Sequence, residues 1–192
     1  MKKAIKTIAV IAMVCVMVMS ITVAVTACGD NSEIKEATGL EYEKVYREDG
    51  STYYYVSGIG SETLKEFKVP AVYNGKAVVG IDDRAFKDSS VVRVELPVTV
   101  TSIGNNAFEN CSDLKAIVAS GVTTIWGDAF LGCEALESVA LASGDWTVSY
   151  ARGTIGYITY DKESVDMSEP AAAANTLKAL SGYYNILCEE AA

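Results

Sequence analysis

Five cysteines and no histidine set the covalent chemistry available to this 192-residue chain. A cysteine nucleophile needs a neighbouring base, most often histidine, so Cys-His and Ser-His-Asp catalysis are excluded, and so is a histidine-ligated metal. No pair of carboxylates stands in a recognisable catalytic motif either. We therefore expect a protein that is not an enzyme and needs no cofactor. Cys188, alone near the C-terminus, is expected to be a partly buried thiol.

Cys28 follows a segment with the pattern of an export signal. Three lysines among the first six residues precede an almost wholly apolar run from Ile8 to Val25, and the small residue Ala27 comes directly before the cysteine. A basic start, an apolar centre and a small-residue cleavage site are typical of a signal peptide, here residues 1–27. The run is also long enough for an uncleaved membrane helix. Either alternative places the rest of the chain outside the cytoplasm.

The four residues Val25-Thr26-Ala27-Cys28 resemble the bacterial lipobox, with Val25 replacing the commoner leucine. The resemblance implies that Cys28 is diacylated and becomes the N-terminus of an exported protein anchored to the bacterial cell membrane or surface. Two or more acyl chains hold a protein on a membrane where one would not. The alternative is an ordinary signal peptide with a chance cysteine. Residues 28–40 are then expected to form a lipidated polar tether.

The charge of the chain is strongly acidic once the signal is set aside. Residues 1–27 hold three of the 16 basic side chains and none of the 25 acidic ones, which leaves 13 basic and 25 acidic groups and a net charge of −12. Such a surface argues against binding nucleic acid or an anionic membrane. We expect contact with the membrane only through the lipid.

An acidic cluster at Asp82, Asp83 and Asp88 raises the question of calcium. Its spacing matches neither an EF-hand loop nor a calcium-binding nonapeptide repeat. We therefore expect a solvated acidic surface and no metal site.

Ile81, Ile103 and Ile125 each open the frame Ile-x-x-x-Ala-Phe, and the frames follow one another every 22 residues. A period of this length predicts a solenoid whose coils stack to bury a shared interior. Cys111 and Cys133 occupy the same position in successive coils. We expect them to be buried free thiols, because a coil spacing of about 5 Å lies at the short side of the range for a disulfide, which is the alternative.

Both ends of so short an array must be capped. We place an N-terminal cap and lead-in unit at residues 41–80, the repeats at 81–145 and a C-terminal cap at 146–192. Asp-Gly and Asn-Gly turns predict two N-terminal hairpins. The predicted elements of the caps are Tyr42–Tyr46 with Thr52–Val56, Val69–Val72 with Ala77–Val79, strands Trp146–Tyr150, Ile155–Tyr160 and Tyr183–Leu187, and a helix Ser168–Leu180. Tyr53, Tyr54 and Tyr55 alternate faces, so at least one lies outside the core; we expect them to build the cap, with an interface as the alternative.

The pattern Ile-Gly-x-x-Ala-Phe-x-x-Cys-x-x-Leu-x-x-Ile, from Ile103 to Ile117, resembles the BspA-like leucine-rich repeat. The lead-in from Val69 to Ile81 resembles the usual first unit of that family. The resemblance covers roughly Tyr53 to Leu141 and implies an α/β, β-dominated solenoid with one parallel strand per coil of 22 or 23 residues. Trp126 stands where glycine is usual, so we expect an irregular third coil.

The same resemblance implies a bacterial surface protein that binds a host protein, matrix or another cell. We expect adhesion-type binding to a protein or glycan through outward positions of the strand sheet, with a structural envelope or assembly role as the alternative. The residues of this predicted face are Arg93, Glu95, Lys115, Val118 and Glu137.

Overall fold

The structure, a computed structural model, describes residues 34–152, 159–165, 167–179 and 184–189. The predicted signal peptide and Cys28 lie outside the described residues. Among those that are described, no helix combines the length and apolarity needed to cross a bilayer.

Fourteen strands and one helix make up the described part of the chain. In chain order they are β1 (Lys35–Glu36), β2 (Glu41–Tyr46), β3 (Thr52–Gly58), β4 (Glu66–Lys68), β5 (Val72–Tyr73), β6 (Lys76–Ile81), β7 (Arg93–Glu95), β8 (Ser102–Ile103), β9 (Ala116–Ala119), β10 (Thr124–Ile125), β11 (Ser138–Leu141), β12 (Asp145–Arg152), β13 (Thr159–Val165), α1 (Pro170–Ala179) and β14 (Tyr184–Glu189).

Two sheets enclose one apolar interior. The first sheet is parallel and has the order β1-β4-β7-β9-β11, and the second runs β13-β12-β14-β10-β8-β6-β3-β2. Each coil gives one strand to each sheet, and the strands pair in register, as Val94, Ile117 and Val139 do across the first sheet. The predicted solenoid is confirmed, and it has about four coils, an N-terminal antiparallel pair and a C-terminal helix.

A row of stacked phenylalanines fills the interior. The rings of Phe86 and Phe108 are 5.0 Å apart and inclined by 12°, and those of Phe108 and Phe130 are 5.4 Å apart and inclined by 2°. Phe67 extends the row into the lead-in coil, with its centroid 6.0 Å from that of Phe86. The Ile-x-x-x-Ala-Phe frame thus places one ring at the equivalent position of each coil, and the coils stack through these rings.

Two positions in each coil have left-handed backbone geometry. They are Arg84, Asn106 and Asp128, with φ of 61°, 55° and 56°, and Asp88, Asn110 and Gly132, with φ of 58°, 60° and 74°. Asn, Asp and Gly tolerate this region best, which explains their recurrence there. Arg84 is the exception.

The third coil is regular, so the prediction of an irregular coil at Trp126 is wrong. Trp126 N donates to Ile103 O at 2.9 Å, as Gly104 N donates to Ile81 O at 2.8 Å in the preceding coil. The Trp126 side chain is 41% exposed. The indole therefore projects onto the surface and leaves the backbone ladder intact.

The N-terminal cap contains both predicted hairpins. β2 pairs antiparallel with β3, and β5 pairs with β6 through a turn in which Asn74 and Gly75 have φ of 47° and 73°. Tyr54 packs edge-on to Tyr73 at 5.0 Å, while Tyr73 stacks on Tyr42 at 3.9 Å. Burial, followed by the negative potential of neighbouring groups, raises the pKa of Tyr42 to about 12. Tyr54 thus belongs to the cap, as expected.

Residues 35–40, which the sequence places in the polar tether, belong to the folded unit instead. β1 pairs in parallel with β4, and Ala37 N donates to Lys68 O at 2.8 Å. Ala37 and Leu40 are buried. Burial of these two apolar side chains stabilises the segment against the lead-in coil. The segment is polar on average, so its composition alone did not indicate that these two residues are buried.

The C-terminal cap continues the second sheet and adds the helix. β14 pairs antiparallel with both β10 and β12, and β12 pairs with β13. Helix α1 packs on β11 and buries Ala173, Ala174 and Leu177, so the predicted helix is confirmed. β13 runs to Val165, five residues beyond the predicted strand end at Tyr160. The sequence did not indicate this extension, because the residues after Tyr160 are mostly polar and show no apolar alternation. Residues 155–158 of that predicted strand lie outside the described residues.

Candidate binding face

The outward positions of the first sheet form two rows across its strands. Register places Glu66, Arg93, Ala116 and Ser138 in one row and Lys68, Glu95, Val118 and Ala140 in the other. Between the rows, Phe67, Val94, Ile117 and Val139 point inward and are buried. We call the eight outward residues the strand face.

Three of the five predicted residues lie on this face and two lie beside it. Arg93 and Glu95 belong to β7, and Val118 is the register partner of Glu95 on β9. Lys115 and Glu137 are exposed, but each stands one residue before its strand. Backbone hydrogen bonds place them in a marginal row, since Lys115 N donates to Val92 O and Glu137 N to Lys115 O.

Sequence reasoning missed the residues that the lead-in coil adds to the face. Glu66 and Lys68 flank the buried Phe67, and β4 pairs in parallel with β7. The alternation Glu-Phe-Lys was the available signal, because a single buried residue between two charged ones is what a three-residue strand with one buried side requires. The small outward residues Ala116, Ser138 and Ala140 carried no such signal.

One half of the strand face is charged and internally paired. Arg93 Nη2 lies 2.8 Å from Glu95 Oε1, and Lys68 Nζ lies 3.3 Å from Glu95 Oε2. The Arg93 and Glu95 side chains are only 18% and 22% exposed. Arg93 Nε is buried and lacks a hydrogen-bond partner within the described residues. A paired and partly dehydrated guanidinium is held in one orientation, which suits recognition more than solvation.

The other half of the strand face is small and uncharged. Ala116, Val118, Ser138 and Ala140 are all partly exposed, and α1 packs against β11 beside them. Small side chains let a partner approach the sheet backbone closely. The face therefore combines a fixed charge network with a flat, nearly apolar surface.

The two repeat cysteines are free and buried, as expected. Cys111 Sγ donates to Phe86 O and Cys133 Sγ to Phe108 O, both at 3.0 Å. Burial raises the pKa of the Cys111 thiol, although a hydrogen bond with Ser89 opposes the shift, and burial raises the pKa of the Cys133 thiol to about 12. Protonated, internally bonded thiols are structural rather than nucleophilic. The side chain of Cys188 lies outside the part described.

The acidic cluster forms hydrogen bonds rather than a cation site. Asp83 Oδ1 accepts from Asn105 N at 2.7 Å, and Asp88 Oδ1 accepts from Asn110 Nδ2 at 2.8 Å. Within the described ranges, no group of three His, Cys, Asp or Glu side chains could hold a metal ion. The Asp and Asn side chains link successive coils along their turns.

Comparison with known proteins gives one family and several solved structures. The family model described as BspA type leucine rich repeat region matches residues 54–150 in six copies. A T. pallidum leucine-rich-repeat protein is 25% identical over 57% of this chain and 50% of its own, with a TM-score of 0.48. A protein from Bacteroides ovatus is 34% identical over 59% and 30%, with a TM-score of 0.43, and one from Bacteroides capillosus is 20% identical over 55% and 96%, with a TM-score of 0.36. The chain thus spans half the length of the T. pallidum protein. No curated protein matches.

Proposed function

The chain belongs to the BspA-type leucine-rich-repeat family, whose model covers just over half of its 192 residues, and from this premise we propose that it is a lipid-anchored bacterial surface protein. Its repeats bind a protein or glycan partner by adhesion-type contact, without catalysis. Proteins of this repeat class generally act by presenting a surface. The strand face is the proposed contact, with Lys115 and Glu137 at its margin.

The observation that carries this proposal is the division of the strand face into a fixed charge network and a flat apolar half. Interfaces commonly combine an oriented arginine with dehydrated apolar surface. The Arg93–Glu95–Lys68 network supplies the first, and Ala116, Val118 and Ala140 supply the second. A partner with a small apolar patch beside a charged group would match both halves.

The size of the face limits the affinity. Four strands at about 4.8 Å spacing and three residues of strand length give an area of about 200 Å². A standard interface covers about 800 Å² on each partner. The marginal row and the caps must therefore contribute, or the protein binds weakly and gains avidity from many copies on one membrane.

The proposed anchor is the Cys28 lipid, which would provide that multivalency. The lipobox-like sequence supports it, and β1, the first strand of the described residues, starts seven residues after the cysteine. So short a connection would hold the repeats close to the bilayer surface. Fatty-acid labelling of wild type and Cys28→Ala tests the anchor: the variant should lose the label, and equal labelling would contradict it.

The alternative is a structural protein that self-associates. The N-terminal edge strand of the second sheet does not favour it. The edge strand β2 has Glu41, Glu43 and Lys44 exposed along it. Charged side chains on an edge strand oppose pairing with another sheet. A concentration-independent monomer in sedimentation would favour the binding role, and reversible self-association would favour assembly.

Capture from bacterial and host extracts tests the proposed face. The full-length chain in neutral detergent is compared with a face variant, Arg93→Ala/Lys115→Ala/Glu137→Ala. The matched control, Arg47→Ala/Lys44→Ala/Glu43→Ala, removes the same residue types from exposed positions of the hairpin. We expect the face variant alone to lose captured partners; equal capture by both would exclude the face.

A further inference from the structure

The second sheet carries a groove between two aromatic side chains on its outer surface. The groove has a volume of about 290 Å³, and Tyr55 and Trp126 form part of its lining together with Ser102 and Gly104. Trp126 occupies the position held by Asp82 and Gly104 in the two preceding coils, so only this coil places an indole there. The groove lies on the opposite side of the solenoid from the strand face.

Ser102 and Gly104 are small residues in the lining of the groove, and Gly80 lies next to it under the Tyr55 ring. A Cβ atom added to Gly80 would lie 1.9 Å from the Tyr55 ring, so that ring rests directly on the glycine. Tyr55, Gly80, Ser102 and Thr124 follow one another across β3, β6, β8 and β10. Three strand spacings of about 4.8 Å separate the first strand from the last, and the Tyr55 ring covers the first of them. A cationic head group within about 6 Å of either ring centroid would gain cation–π attraction.

Two carboxylates give the groove a negative charge. Asp82 and Asp83 both line it, and neither forms an ion pair with any of the described residues. Asp83 is engaged with Asn105 N and Nδ2, whereas Asp82 Oδ1 accepts only from Asp83 N at 2.8 Å among the contacts described. Asp82 therefore keeps acceptor capacity for a ligand.

The neighbouring surface already contains a cation–π contact of the kind that the groove would form. Arg47 places its guanidinium carbon 5.0 Å from the centre of the Tyr53 ring, and Tyr53 lies 6.0 Å from Tyr55 on the same side of β3. Two aromatic side chains beside carboxylates that form no ion pair with a described residue suit a positively charged ligand.

We propose that this groove binds an arginine or lysine side chain of a partner polypeptide, between Tyr55 and Trp126 and against Asp82. Charge complementarity favours this occupant over a neutral glycan, because a cation would balance two carboxylates that no described residue pairs. The inference is independent of the strand face, since it concerns the other sheet and different residues.

Nuclear magnetic resonance of the two tryptophan indoles tests the groove directly. Trp126 is exposed, whereas Trp146 is 2% exposed and donates from Nε1 to Ala142 O, so its signal is an internal reference. The full-length chain in neutral detergent is titrated with acetyl-Gly-Gly-Arg-Gly-Gly-amide. The matched ligand replaces arginine by citrulline, which has nearly the same shape and no charge. We expect the arginine peptide to move the Trp126 signal alone and the citrulline peptide to leave it unchanged.

Variants then locate the ligand. Asp82→Asn keeps an oxygen acceptor for Asp83 N and removes the charge, and Trp126→Ala removes one ring; each should weaken peptide binding by about two- to fivefold, and both together by about tenfold. Tyr46→Ala, at a 69% exposed tyrosine outside the groove, and the triple strand-face variant should bind like wild type. An unmoved Trp126 signal at saturating peptide, or an equal response to citrulline, would overturn the proposal. A response to a neutral oligosaccharide with none to arginine would assign the groove to glycans instead.

Discussion

The stacked phenylalanine row makes a quantitative prediction about where the stability of the solenoid resides. Phe67 and Phe108 are both fully buried, but Phe108 contacts a ring on each side, at 5.0 and 5.4 Å, whereas Phe67 contacts one, at 6.0 Å. Replacing either by leucine keeps an apolar side chain and removes the ring contacts. An aromatic pair contributes about 0.5–1.5 kcal/mol beyond burial. Phe108→Leu should therefore cost about 0.5–1.5 kcal/mol more than Phe67→Leu.

The larger truncation sets the absolute scale. Phe108→Ala should lower the free energy of unfolding by about 3–5 kcal/mol, because it leaves a cavity between two coils. Domains of this size are stable by about 5–15 kcal/mol, so this loss is a large share of the total. The assay is urea unfolding of the full-length chain in neutral detergent, followed by circular dichroism and tryptophan fluorescence. An equal or greater cost at Phe67→Leu, or a cost below about 1 kcal/mol for Phe108→Ala, would refute the idea that the coils are held together through this row.

Three further predictions concern the turns and the thiols. Arg84→Asn should raise stability by about 0.5–1 kcal/mol in the same assay, because asparagine tolerates the left-handed φ of 61° better, whereas Arg84→Ala should bring no gain. Gly121→Ala should cost about 1–3 kcal/mol, since its Cβ would lie 2.3 Å from Val98 O of the preceding coil, and the exposed neighbour Ser120→Ala should stay within about 0.5 kcal/mol. The pKa of Cys133 is about 12 in the folded chain and about 8.5 in the unfolded chain, so the folded thiol is almost fully protonated at pH 9. Iodoacetamide should therefore modify Cys133 about several hundredfold more slowly in buffer than in urea. Comparable rates in peptide mass spectra would show the thiol to be accessible.

Part of the pH dependence of stability at alkaline pH follows from the same thiol. Its pKa is higher in the folded than in the unfolded chain, so the unfolded state releases its proton first as pH rises. The contribution to stability is complete below about pH 8.5 and falls progressively between there and pH 12. Unfolding midpoints that stay constant between pH 8 and pH 10.5 in wild type would contradict the assigned burial.

The periodic features of the fold could be predicted because each residue type there has one structural role. Isoleucine, alanine and phenylalanine at fixed spacing in three coils define the interior, and Asn-Gly defines the second hairpin through its left-handed backbone. Helix α1 could be predicted from a capping residue before it, Pro170 in its first turn and Gly182 after it.

The features that escaped prediction depend on contacts between segments. β1 is polar in composition, and its place beside β4 is decided by burial of Ala37 and Leu40. The outward rows depend on strand register, which pairs Ala116 rather than Lys115 with Arg93. Lys115 therefore lies beside the strand face and not on it. Trp126 departs from the usual glycine without disturbing the turn, because its side chain projects outward.

The central claim is that the strand face is the binding surface. It is tested most directly by measuring how tightly two matched variants bind a captured partner. Val118→Arg places a bulky cation in the apolar half of the face, and Val98→Arg makes the same change at a valine that is 73% exposed and lies outside it. Surface plasmon resonance with the full-length chain should show at least about tenfold weaker binding for Val118→Arg, as expected near the centre of an interface, and wild-type affinity for Val98→Arg. Equal affinities for the two variants would contradict the claim.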